Sequence, residues 1–161
     1  MTLNCNGQLI DLNTPKVMGI LNITPDSFYD GGRFKDEKSI LTQVDKLLKE
    51  GATFIDIGAY SSRPGADFVS ENEELKRLIP IVNAVVKTFP KCLISIDSFR
   101  SRVIKNSVEA GAAMVNDISG GQLDPLMFEV VGALDVPYIM MHMRGTPQTM
   151  QQMTDYSDVR K

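Results

Sequence analysis

One histidine, His142, and two cysteines, Cys5 and Cys92, are all that the 161 residues hold of the usual zinc and disulfide side chains. A single His excludes a multi-His metal centre, and two distant Cys make neither a disulfide framework nor a zinc site. Both Cys read as small buried apolar residues. An excess of basic residues is also missing: Lys plus Arg is 17 against 20 for Asp plus Glu, a formal net charge of −3. That balance argues against nucleic acid as a partner. No apolar run approaches the roughly 20 residues that span a bilayer, so a membrane partner is not expected. The first seven residues, Met1-Thr2-Leu3-Asn4-Cys5-Asn6-Gly7, carry no secretory signal pattern, and the expected location is cytoplasmic. Neither GxGxxG nor a Walker A sequence is present. What remains is 43% hydrophobic and 23% charged residues, the composition of one globular core.

The apolar pattern alternates between two periods. Leu3-Asn4-Cys5 and Gly7 to Leu12 read as a small hairpin turning at Asn6-Gly7. Five short apolar runs follow, starting near residues 16, 54, 93, 114 and 137. Runs of this kind suit strands buried on both faces of a parallel sheet. Between them lie helical stripes. Ile40, Leu41, Val44, Leu47 and Leu48 form the first, with Gly51 at the expected C-terminal cap. Leu75, Leu78, Ile79, Val82, Val85 and Val86 form the second, which Pro80 is expected to kink or break. Val103, Ile104 and Val108 form the third. Asp124-Pro125 reads as the N-cap and first residue of a fourth. A further helix is expected to start within 155–161.

Five βα repeats predict an α/β fold with right-handed crossovers. Two architectures fit. One is a TIM (β/α)8 barrel of about 250 residues, of which this chain would cover the first five units. The other is a complete five-stranded doubly wound sheet. Polar residues collect where each strand should end: Asn22 to Arg33, Tyr60 to Ala66, Asp97-Ser98, Asn116-Asp117 and His142 to Pro147. In either architecture ligands bind at that end. The first two such loops are about a dozen residues long, against a usual 2–6, and suit functional lids.

Individual side chains admit a plain and a functional reading. Asn22 suits an Asx turn or a neutral oxygen ligand for Mg²⁺. Arg63, beside Ser61 and Ser62, suits a surface salt bridge or an anion site. Asp97 and Asn116 suit helix N-caps, or acceptors and an amide donor for a flat heterocycle with N–H edges. His142 reads as a satisfied core residue, and Met140, Met141, Met143, Met150 and Met153 as packing.

Residues Met18 to Gly32, with Asn22-Ile23-Thr24-Pro25-Asp26-Ser27-Phe28 at their centre, resemble the first signature of the dihydropteroate synthase family. Asp56 to Ala66 resembles the second. Ser95-Ile96-Asp97-Ser98, Asn116-Asp117-Ile118-Ser119 and Met141 to Pro147 match later blocks in the same order. The resemblance implies a (β/α)8 barrel of folate biosynthesis, homodimeric at full length, with residues 1–161 as the N-terminal portion of its single pterin-binding domain. The implied reaction joins 6-hydroxymethyl-7,8-dihydropterin pyrophosphate to p-aminobenzoate with Mg²⁺, and the family is a sulfonamide target. It further implies that Asp97 and Asn116 hold the pterin and that Asn22 binds Mg²⁺–pyrophosphate. Ser62 and Arg63 would contact pyrophosphate or help shape the p-aminobenzoate pocket, Phe28 and Pro64 would line that pocket, and Asp30 would face the reacting centre from the first loop.

Two departures stand out. Ala59-Tyr60-Ser61-Ser62 replaces the family's Gly-Glu-Ser-Thr, removing a carboxylate at Tyr60. The Asp-Pro-Gly, Ser-Arg-Lys and Arg-x-His blocks of the family's last three units are absent, so the chain alone is expected to be inactive. The alternatives are a corrinoid-linked, methyltransferase-type pterin barrel and a non-catalytic half-barrel that binds pterin or self-associates through open sheet edges.

Overall fold

A computed structural model describes residues 1–23, 33–60 and 68–158. The chain starts with an antiparallel hairpin of β1 (Thr2–Cys5) and β2 (Gln8–Asp11), paired from Thr2 with Asp11 to Cys5 with Gln8. Its turn needs two residues with positive φ, which Asn6 (50°) and Gly7 (80°) supply. Five parallel strands follow: β3 (Met18–Asn22), β4 (Phe54–Gly58), β5 (Leu93–Asp97), β6 (Met114–Asp117) and β7 (Tyr138–Met140). The helices between them are α1 (Arg33–Lys49), α2 (Glu71–Thr88), α3 (Ser101–Glu109) and α4 (Met127–Leu134).

Strand order in the sheet is the order in the chain, β3-β4-β5-β6-β7. A doubly wound sheet reverses its order at a switch point, and this one does not. The sheet is five consecutive strands of a (β/α)8 barrel, with the doubly wound alternative excluded. β3 and β7 are its edges, where Ile20 is 67% and Ile139 is 40% exposed.

The two sheet faces divide the labour by period two. Leu21, Ile55, Ile57, Ile94, Ile96 and Val115 point to the helices and pack with Val44, Leu78, Val82, Val85, Val103 and Ile104. A second apolar cluster lies at the strand starts, where Phe54, Leu93, Ala113 and Met114 meet Cys5 of the hairpin. Asn6 Nδ2 ties the hairpin down by donating to the Gly111 carbonyl at 3.2 Å. The hairpin thus closes the N-terminal end of the sheet with apolar side chains and leaves the C-terminal end to polar ones.

Three local expectations change. α2 runs unbroken through Pro80. Pro80 is exposed, so water can reach the backbone carbonyl that loses its partner, while buried Leu78, Val82 and Val85 hold the helix to the sheet. α4 begins at Met127 without a side-chain cap. Asp124 instead accepts from the Ser101 amide at 2.7 Å, which caps the start of α3 from a neighbouring loop, and from the Leu126 amide at 3.0 Å. Partial burial works against its ionisation, yet those amides hold the Asp124 carboxyl below its usual range. Finally, residues 155–158 are not helical; the last regular turn is a 3₁₀ turn at Met150–Gln152, and 159–161 lie outside the described residues.

The cysteines behave as small apolar groups: Cys5 is fully buried, and burial pushes the Cys92 thiol up to about 11. The methionines do not act as one packing group. Met143 is buried, but Met140 and Met141 are exposed at the open edge around β7. His142 is exposed rather than a core residue, for the same reason, and its Nε2 lies 3.2 Å from the Tyr156 hydroxyl.

Candidate functional site at the strand tips

One row of the sheet carries the site. Asn22 of β3 pairs with Gly58 of β4, Gly58 with Asp97 of β5, and Asp97 with Asn116 of β6. Residues in one row of a parallel sheet point to the same face, so three polar side chains and one hydrogen atom share a single level. Gly58 is what makes room. A Cβ there would sit 3.2 Å from Asp97 Oδ2 and 3.6 Å from Asn22 Oδ1. Neither Asp97 nor Asn116 caps a helix; the residue at the start of α3 is Arg100.

The level below adds a residue that sequence reasoning did not single out. Asp56 lies two positions before Gly58 on β4, is 5% exposed, and accepts from Asn116 Nδ2 at 2.9 Å through Oδ2. The available signal was a carboxylate inside the apolar run Phe54-Ile55-Asp56-Ile57. Burial raises the Asp97 carboxyl to about 7, reinforced by the negative charges of Asp56, Glu74 and Asp117. Asp117, on the opposite face, is fully buried and orders the following turn. It accepts from the Ser119 amide (2.7 Å), Ser119 Oγ (2.8 Å), the Gly121 amide (2.8 Å) and the Tyr138 hydroxyl (2.6 Å).

Beside the row stands a cation held from three sides. Arg100 donates to Glu74 at 2.5 Å and to the Val69 carbonyl at 2.7 Å. Its guanidinium lies 5.2 Å from the Tyr60 ring, 5.2 Å from Phe99 and 5.8 Å from Phe68. Tyr60 and Phe99 meet edge to face at 5.2 Å. Tyr60, where the resembled signature has Glu, therefore gives the guanidinium a ring face, and Glu74 supplies the carboxylate.

Of the site residues expected from sequence, Asn22, Asp97 and Asn116 are brought together. Phe28, Asp30, Ser62, Arg63 and Pro64 lie outside the described residues, as does most of the two long loops. Among the described residues no three His, Cys, Asp or Glu side chains form a metal cluster. Mg²⁺ is usually held by one or two carboxylates together with substrate phosphates and water, and Asn22 offers one neutral oxygen to such a shell.

A parallel sheet wound in chain order, apolar at its floor and polar at its C-terminal rim, defines part of a (β/α)8 barrel with a ligand cleft at the strand tips. The family model described as "Pterin binding enzyme" matches residues 18–161, and the chain belongs to that family. It is 46% identical over 159 residues to dihydropteroate synthase of Haemophilus influenzae, covering 99% of this chain and 57% of that protein. It is 51% identical over 140 residues to the folic acid synthesis protein fol1 of Pneumocystis carinii, covering 87% and 19%. Among solved structures, Yersinia pestis dihydropteroate synthase with a sulfonamide drug complex superposes with a TM-score of 0.86 at 42% identity, covering 99% and 57%. Xanthomonas albilineans dihydropteroate synthase with 4-aminobenzoic acid gives 0.84 at 38%, covering 98% and 55%. The chain thus spans about half the length, or less, of these relatives.

Proposed function

We propose that this chain is the N-terminal portion of a dihydropteroate synthase, joining 6-hydroxymethyl-7,8-dihydropterin pyrophosphate to p-aminobenzoate. The observation that carries the reading is the row Asn22–Gly58–Asp97–Asn116 on the sheet face opposite the one packed against the helices. Asp97 and Asn116 offer polar atoms to the N–H edge of a pterin, and Gly58 leaves space for the ring beside them. Asn22, at the rim, would hold Mg²⁺, which when bound neutralises pyrophosphate charge. Arg63 would add a guanidinium for the same charge, with Ser62 beside it. Phe28 and Pro64 would line the p-aminobenzoate pocket, and Asp30 would face the reacting carbon.

In the proposed chemistry the bond from the pterin methylene to the pyrophosphate oxygen breaks first, and the electron pair leaves with pyrophosphate. The electron-rich pterin ring carries the resulting positive charge. The neutral aromatic amine then attacks, forms the C–N bond and gives up a proton. Positioning and water exclusion by the protein supply most of the acceleration. A dimeric full-length protein in the cytoplasm belongs to the same reading.

Steady-state turnover of the full-length protein tests it. Pyrophosphate and dihydropteroate should appear together, and Asn22→Ala should flatten the Mg²⁺ dependence. The 161-residue chain alone, holding about half the site, should show no turnover. Absence of turnover by the full-length protein overturns the function, an unchanged Mg²⁺ profile overturns the Asn22 role, and turnover by the chain alone overturns the division of the site.

Gly58→Ala should weaken 6-hydroxymethylpterin binding about tenfold or more, since overpacking by one methyl costs about 1–3 kcal/mol. Calorimetric titration checks this, and an unchanged affinity would show that the ligand does not pass beside Gly58.

A further inference from the structure

We infer that Asp56 is a positioning residue that sets which end of the Asn116 amide faces the ligand. The inference rests on the pterin reading for its ligand, and on the sheet itself for its geometry. An amide presents an oxygen at one end and two N–H bonds at the other, and rotation about its last torsion exchanges them. Asn116 Nδ2 donates 2.9 Å to Asp56 Oδ2. Oδ2 is the acceptor in that bond, so Asp56 takes the donor end of Asn116. The amide oxygen is left turned away from that bond. Its neighbour in the row is Asp97, so the site shows two acceptors side by side, and they select a ligand edge with adjacent N–H donors.

Two features argue that Asp56 has this role rather than a stabilising one. It is a carboxylate at 5% exposure, and burial of such a group is costly unless it is well partnered. Yet among the described residues its other oxygen, Oδ1, has no hydrogen-bond partner, and neither has Oγ of its register partner Ser95. The Asn116 bond is what Asp56 provides, and Asn116 is what displays the acceptor.

The test uses the full-length protein and two probes, 6-hydroxymethylpterin and 6-hydroxymethyllumazine. They differ by an amino group in the pterin where the lumazine has an oxo group. The wild type should bind the pterin at least about tenfold more tightly, because an oxo group would face acceptors. In Asp56→Asn, of nearly the same shape, either end of the Asn116 amide can be satisfied, and the ratio should fall to about 1–3. A merely structural role would lower both affinities together, and an unchanged ratio overturns the inference. NMR of the Asn116 side-chain amide gives an independent readout without ligand. The wild type should show one strongly shifted, slowly exchanging N–H that is lost in Asp56→Asn; a solvent-like amide in the wild type overturns the inference. If the wild type binds neither probe while this amide is fixed, the pterin reading fails and the role of Asp56 stands.

Discussion

Arg100→Met lowers the stability of the chain by about 3–5 kcal/mol, the usual cost of removing one partner of a buried ion pair. Glu74 has no exposed surface, and the Arg100 side chain is 11% exposed. Their 2.5 Å contact joins α2 to the residue that starts α3. Methionine keeps much of the apolar contact with Tyr60, Phe68 and Phe99 but leaves the Glu74 carboxylate without its cation. Burial already raises the Glu74 pKa, while Ser98 and Arg100 pull it down. Without Arg100 the carboxyl rises further. A folded-state pKa above the unfolded one means that the native state keeps a proton which the unfolded chain releases. The loss therefore grows as pH rises above the ordinary Glu value. Urea unfolding at pH 5 and pH 7 should show a deficit that is larger at pH 7. Adding Glu74→Gln should return part of it, because the buried charge is then gone. A deficit under about 1 kcal/mol at pH 7 would place this pair with weak surface bridges instead.

The ligand-free chain loses stability as pH rises from about 4 to 7, and Asp97 is the cause. Its carboxyl titrates near 7 in the folded protein against an ordinary value of 3.8. Below 3.8 both states are protonated and nothing changes. Between the two values the folded state binds more protons than the unfolded one, so raising the pH favours unfolding. Above 7 the loss is complete and levels off at roughly 4 kcal/mol at most, since each unit is worth about 1.4 kcal/mol. The groups acting on Asp97 are its own burial and then Asp56, Glu74 and Asp117, all of one sign. Asp97→Asn removes the titrating group and should flatten the profile over this window. Parallel urea midpoints for wild type and variant from pH 4 to 8 would sink the assignment. The same ionisation turns Asp97 from a possible donor into an acceptor, so pterin binding should strengthen as pH rises through 7.

Both predictions concern charges sequestered beside the strand tips, and their legibility in sequence differs. Asp97 and Asn116 were readable because each ends an apolar run, where a parallel sheet exposes its ligand rim. Glu74 and Arg100 were not. In sequence Glu74 sits within the acidic first turn of a helix, beside Glu71 and Glu73, which looks like a solvated face. Its burial depends on where α2 meets the start of α3. Asp124 was read as a cap for the helix that follows it, because a local signal cannot show that the carboxylate reaches the Ser101 amide of another helix. Pro80 was read as a kink or a break, because propensity does not count the buried side chains that hold the helix on either side.

By itself the sequence determined the hairpin at Asn6-Gly7, the five parallel strands with the four helices between them, and the polar ends of the strands. Each depends on residues close in the chain: two positive-φ positions, a period of two or 3.6, a polar residue after an apolar run. Only the tertiary structure decided the strand order, which separates a barrel from a doubly wound sheet. Only it set the register that places Asn22, Gly58, Asp97 and Asn116 in one row, with Asp56 hydrogen-bonded beneath. Those relations join residues dozens of positions apart. They arise when hydrogen-bonded strands share one core, and no local window of sequence contains them.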